Sequence, residues 1–157
     1  MSRSTVRSAV MQMIYEKHAG GEGGEDTLQM IYEQLREEAE DSTSPISEQE
    51  PGTRDRAYLQ LLLDGVLNDL PEIDQQIAAY SRGWTLERMP RVDLTILRLA
   101  TWEILHETDV PGSVVINEAV NLAKRYSEPD SSRFINGVLG SILRAKEAAE
   151  AKEVEND

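Results

Sequence analysis

The chain has 157 residues, 16 Lys and Arg against 29 Asp and Glu, a formal net charge of −13, no cysteine and two histidines. A chain of this length buries roughly 68–70% of its unfolded surface in one domain, so no staple is required, and the lack of cysteine excludes a disulfide framework and cysteine-ligated zinc. The first eight residues hold no apolar run of signal-peptide length and no stretch approaches the roughly 20 apolar residues of a membrane span, which reads as a cytoplasmic protein.

The charge is unevenly spread. Residues 1–20 carry Arg3, Arg7 and Lys17 against Glu16, and residues 111–146 also have a basic excess. The acid sits in residues 21–52 and 147–157. Such runs are commonly solvated and favour solubility, and adaptation to a salt-rich cytoplasm is an alternative source. A basic nucleic-acid face is compatible with this balance only if the acidic segments point elsewhere.

In chain order, Val6, Val10, Met13 and Ile14 keep helical spacing, with Met11 and Tyr15 widening the stripe, so residues 4–18 read as an amphipathic helix. The glycines at 20, 21, 23 and 24 end it. They lack the Gly-Lys-Ser/Thr ending of a phosphate cradle and read as a turn. A second helix is expected from Asp26 to Ala39 with Leu28, Ile31, Tyr32 and Leu35 on one face, followed by an acidic loop at about 40–52 of disordered composition. Thr53 reads as the cap of a helix to Asn68 with the apolar set Ala57, Tyr58, Leu61, Leu62 and Val66. Gly65 inside it costs about 1 kcal/mol against alanine, which implies close approach of a neighbouring helix.

Pro71 suits a first helical turn, and Ile73, Ile77 and Tyr80 carry a short helix that Ser81-Arg82-Gly83 breaks. Val92 to Leu105 is apolar on nearly every side, as a buried helix is, and is expected to be the spine of the fold. Val114-Val115-Ile116 is β-branched, yet Val115, Ile116, Ala119, Val120 and Ala123 keep helical spacing to Tyr126. Asp130 is placed to cap a last helix faced by Phe134, Ile135, Val138, Leu139, Ile142 and Leu143, whose Glu-rich end at 147–157 is expected to fray into an acidic tail. The reading is an all-α bundle in a single domain over residues 1–146.

The stretch from Trp84 to Ile142 is the most specific. Arg91-Val-Asp-Leu-Thr-Ile-Leu-Arg-Leu-Ala100 is followed by Asp109-Val-Pro111, by Ile116-Asn117-Glu118-Ala119, and by Phe134-Ile135-Asn136-Gly137-Val138-Leu139. In order and spacing this resembles the NusB family of bacterial transcription antitermination factors. The resemblance implies a bundle of about seven helices in two packed subdomains. It also implies a non-enzymatic adaptor that binds a short single-stranded RNA element, boxA, together with the small-subunit ribosomal protein NusE. That pair serves the antitermination complex with RNA polymerase on ribosomal operons.

For individual residues the resemblance implies the following. Arg3 and Arg7 stand for the family's arginine-rich first helix, with Ser4, Thr5 and Val6 between them. A spacing of four puts both arginines on one face, a two-point phosphate clamp with a single-strand salt slope of only about −1.4. Lys124 and Arg125 extend the basic face or are simply solvated. Asp130 lies close to RNA in the family, with helix capping as its competing role. Tyr15, Asp93 and Phe134 correspond to NusE contacts, against core packing for the two aromatics and a helix-dipole contact for Asp93. Asn117, Glu118, Asn136 and Gly137 are assigned to structure, as buried hydrogen-bonded groups and a close backbone approach.

Two other readings compete. One is a protein-interaction paralogue that has lost specific RNA binding, motivated by the thin arginine cluster and the acidity. The other is the NusB-like part of a ribosomal RNA methyltransferase, against which stands the absence of a glycine-rich nucleotide-binding unit before Asp157. No catalytic residue, cofactor or metal is expected, since neither His18 nor His106 has a partner at motif spacing.

Overall fold

The computed structural model describes residues 2–21, 26–31, 33 and 53–156. Among them every regular element is helical and no strand occurs: α1 (Arg3–His18), α2 (Thr53–Asn68), α3 (Leu70–Tyr80), a 3-10 turn (Leu86–Arg88), α4 (Arg91–His106), α5 (Gly112–Tyr126) and α6 (Ser131–Asn156), with residues 26–31 and 33 helical besides. The glycines at 23 and 24, the expected second helix at Tyr32 and from 34 to Ala39, and the acidic loop at 40–52 lie outside the described residues. No helix among the described residues is long and apolar enough to cross a membrane. The chain divides into two compact units, Met1–Asp64 and Gly65–Asp157, with the division falling inside α2.

In the first unit, Ser2 caps α1 by accepting a 3.1 Å hydrogen bond from the Thr5 amide, which satisfies one of the donors a helix start leaves open. Val6, Ala9, Val10, Met11, Met13 and Ile14 are buried, as their spacing requires. Gly20 adopts φ +100°, the left-handed conformation that ends α1. Leu28 and Ile31 are buried, and the Thr27 hydroxyl donates to Glu16 across 2.5 Å, linking that helical segment to α1. The buried face of α2 is rotated from the expected one. Tyr58, Leu59, Leu62 and Leu63 are inside, whereas Ala57 and Leu61 are exposed. Leu59 and the run Leu61-Leu62-Leu63 admit two registers, and spacing alone does not choose between them.

In the second unit α4 is the spine. Thr95, Ile96, Leu97, Leu99, Ala100, Thr101, Trp102 and Ile104 are all buried, and α3, α5 and α6 pack around it. Gly65 is required where expected: a Cβ there would stand 2.2 Å from the Trp102 indole. Gly112 likewise admits Leu143, whose side chain would lie 2.4 Å from a Cβ. Arg98 grips Asp74 with two parallel 2.9 Å bonds, joining α4 to α3, and Lys146 donates to the Ile104 carbonyl at 2.6 Å near the end of α4. The β-branched start of α5 is helical, so the wider period prevails over local strand propensity. The Glu-rich end of α6 does not fray but continues as a helix to Asn156, exposed over residues 147–154.

Candidate nucleic-acid interface

The turn after α3 builds the first part of the site. Arg82 takes φ +49° and Gly83 φ +90°, an unusual pair of left-handed residues in succession. The Ser81 hydroxyl donates to the Trp84 carbonyl at 2.7 Å and fixes the turn from inside. Trp84 is thereby held at the surface with 53% of its area exposed, an uncommon place for an indole. Its ring lies 6.1 Å from that of Phe134, tilted by 55°, within the range of a favourable aromatic pair.

These two rings and Tyr80 stand along a cleft of about 350 Å³ whose basic groups are Arg82, Arg133 and Arg144. A second cleft of about 640 Å³, between α5 and α6, shares Arg133 and Arg144 and adds Lys124, Asn117 and Asn136. Among the described residues, four cations therefore line the two clefts and no acidic residue lines either, in a chain of net charge −13. Cations neutralise phosphates and exposed aromatic faces stack unpaired bases, so the combination suits single-stranded nucleic acid.

The residues expected from sequence are placed as follows. Arg3 and Arg7 do share a face of α1, but that face is turned to Tyr58. The Arg3 guanidinium stands 3.6 Å from the ring centroid, and Arg7 is 3% exposed with its Nη2 donating to the Tyr58 hydroxyl at 3.3 Å. The two-point phosphate clamp is therefore corrected: Arg7 is covered, and only Arg3 is exposed. Tyr15 is a surface residue, 38% exposed, which removes core packing as its account.

Asp93 is also corrected. At 3% exposure it accepts hydrogen bonds from the Ser127 and Ser131 hydroxyls, the latter at 2.8 Å. A buried carboxylate needs such donors, so Asp93 ties the start of α4 to the turn between α5 and α6. Phe134 is half-buried in the first cleft, Lys124 is exposed in the second, and Arg125 is exposed with its guanidinium 5.1 Å from the Tyr126 centroid. Asp130 is exposed in the turn before α6.

Three structural assignments are overturned as well. Asn117 and Asn136 are exposed cleft residues, not buried polar groups. Gly137 brings no backbone close, because a Cβ there would meet nothing within 4 Å; it opens the floor of the aromatic cleft. The sequence reading passed over Tyr80, Arg82, Trp84, Arg133 and Arg144. The one available signal was a tryptophan placed directly after a Ser-Arg-Gly break, outside any apolar stripe.

Comparison with known proteins agrees with this architecture. The model of the NusB family matches residues 4–144. The transcription antitermination protein NusB of Symbiobacterium thermophilum is 40% identical over 149 residues, covering 95% of this chain and 94% of that protein. Among solved structures, that of NusB from T. maritima superposes with a TM-score of 0.71 at 29% identity, covering 92% of each chain. A structure of the antitermination factors NusB and NusE in complex with dsRNA gives a TM-score of 0.70 at 22% identity, covering 91% of this chain and 96% of the other, a likeness of fold.

Proposed function

This chain belongs to the NusB family, a non-enzymatic family of transcription antitermination proteins, and from that premise we propose that it is the adaptor that binds boxA-like single-stranded RNA together with NusE. In this role it joins the antitermination complex with RNA polymerase in the cytoplasm and supports transcription of ribosomal RNA operons. The observation that carries the RNA part is the pair of clefts whose described lining holds no acid, with Trp84 and Phe134 beside Arg82, Arg133, Arg144 and Lys124. Bases stack on the two rings while the four cations track the phosphates. Asp130, exposed one residue before α6, repels misplaced phosphate and narrows the path of the strand.

Neutralising four phosphates gives a single-strand salt slope of about −2.8, twice what the α1 arginines alone would give. On the protein side, Tyr15 offers an exposed aromatic of the kind enriched at interface hot spots, and we assign it to NusE contact. Phe134 lies in the cleft, so in this reading it serves RNA rather than NusE.

The burial of Arg7 and the acidity of the chain favour one second reading, an interaction-only member of the fold. The deciding experiment is binding of a labelled boxA strand, against a scrambled strand, by the protein with and without NusE across a salt series. Preference for boxA with a slope near −2.8 supports the proposal. Formation of the NusE complex with no preference between strands establishes the second reading.

A further inference from the structure

We propose that Asp69, Glu72 and His106 form a binding site for a divalent transition cation of the Zn2+ class, separate from the RNA clefts and independent of the functional reading above. The three residues come from the N-cap of α3, the first turn of α3 and the last turn of α4, all within the second unit. One ligand atom from each lies within 4.8 Å of the other two. The His106 Nε2 stands 3.1 Å from Glu72 Oε2 and 3.7 Å from Asp69 Oδ2. A tetrahedral ion with bonds of roughly 2.0–2.2 Å spaces its donor atoms about 3.4 Å apart, so the two observed distances bracket the required edge.

Two carboxylates and one imidazole nitrogen thus converge on a single point, a mixed oxygen and nitrogen donor set of the kind that holds a transition cation. Asp69 is moreover at the N-cap position of α3, yet its side chain makes no capping bond. Its Oδ2 instead accepts from the Trp102 indole N–H at 2.9 Å. That bond aims the carboxylate at His106, in the way that supporting hydrogen bonds orient ligands around a metal. All three groups are open to solvent, so a cation has an entry path and water completes its coordination. An imidazole ligand favours Zn2+ over the oxygen-seeking Mg2+. Bound there, the ion joins the start of α3 to the end of α4 and stabilises the folded second unit.

Isothermal titration of the whole chain with Zn2+, with Mg2+ in parallel, tests the site. One Zn2+ per chain is expected, with no comparable Mg2+ binding and a rise in the melting temperature. His106→Gln and Asp69→Asn each replace a ligand by a polar isostere at the surface, and circular dichroism verifies that both remain folded. Each should weaken Zn2+ at least by the roughly tenfold that loss of even a supporting group produces. His18→Gln should titrate like the parent. The proposal is overturned if no stoichiometric Zn2+ binds, if the two site variants bind as the parent does, or if His18→Gln abolishes binding.

Discussion

Replacing Trp84 by alanine separates a stacking platform from a purely electrostatic surface. Trp84 is 53% exposed, so its truncation should change folding stability by about 0.5 kcal/mol or less, as for other surface positions. Its loss from the cleft removes one stacked base, a contact of about 1–3 kcal/mol by alanine substitution. At 1.4 kcal/mol per decade this is a 5- to 150-fold weaker boxA affinity, roughly, with the slope of log K against log salt unchanged because no phosphate contact is lost. Arg144→Gln has the opposite signature, lowering affinity while flattening the slope by about 0.7. Fluorescence anisotropy of labelled RNA with the NusE complex, at five salt concentrations, reads both quantities. A Trp84→Ala complex that binds boxA within twofold of the parent would refute base stacking in this cleft and leave the exposed indole without a role in RNA recognition.

Asp93→Ala removes the acceptor of one buried and one part-buried hydroxyl bond and should destabilise the fold by about 3 kcal/mol in urea unfolding. NusE affinity of the molecules that remain folded should be unaltered, since the carboxylate is internal. The two helical glycines should respond to alanine with opposite signs. Gly65→Ala drives a Cβ to within 2.2 Å of Trp102 and should cost about 1–3 kcal/mol, whereas Gly137→Ala meets nothing and should gain about 0.8–1 kcal/mol from helix propensity, both measured by chemical denaturation. Tyr15→Ala, at an exposed position, should leave unfolding midpoints within about 0.5 kcal/mol of the parent but weaken NusE by about 1–2 kcal/mol in titration calorimetry.

What was legible in this chain is what one helix decides by itself. The α4 spine follows from a run of apolar residues too dense for any surface helix, and the need for Gly65 follows from the cost of glycine inside a helix. Arg3 and Arg7 show where that reasoning stops. Their spacing correctly put them on one face, but what covers that face is Tyr58, 51 residues from Arg7 in sequence. The same limit hid the clefts, whose walls come from the end of α3, the turn after it, α5 and the part of α6 up to Arg144. The motif residues Asn117, Asn136 and Gly137 were misread for a related reason: a fixed motif says that a residue type is wanted, not whether it faces core or solvent. Helical phase settles that in retrospect. Asn136 and Gly137 lie between the buried Ile135 and Val138, and residues one step off a buried stripe stand at its solvent edge, where an amide and an absent side chain shape a groove rather than a core. His106 completes the pattern. Lone in sequence and read as inert, it meets Asp69 and Glu72 only because α3 packs on α4, so a metal-ligating set across 34 residues or more is written in the packing and not in any motif spacing.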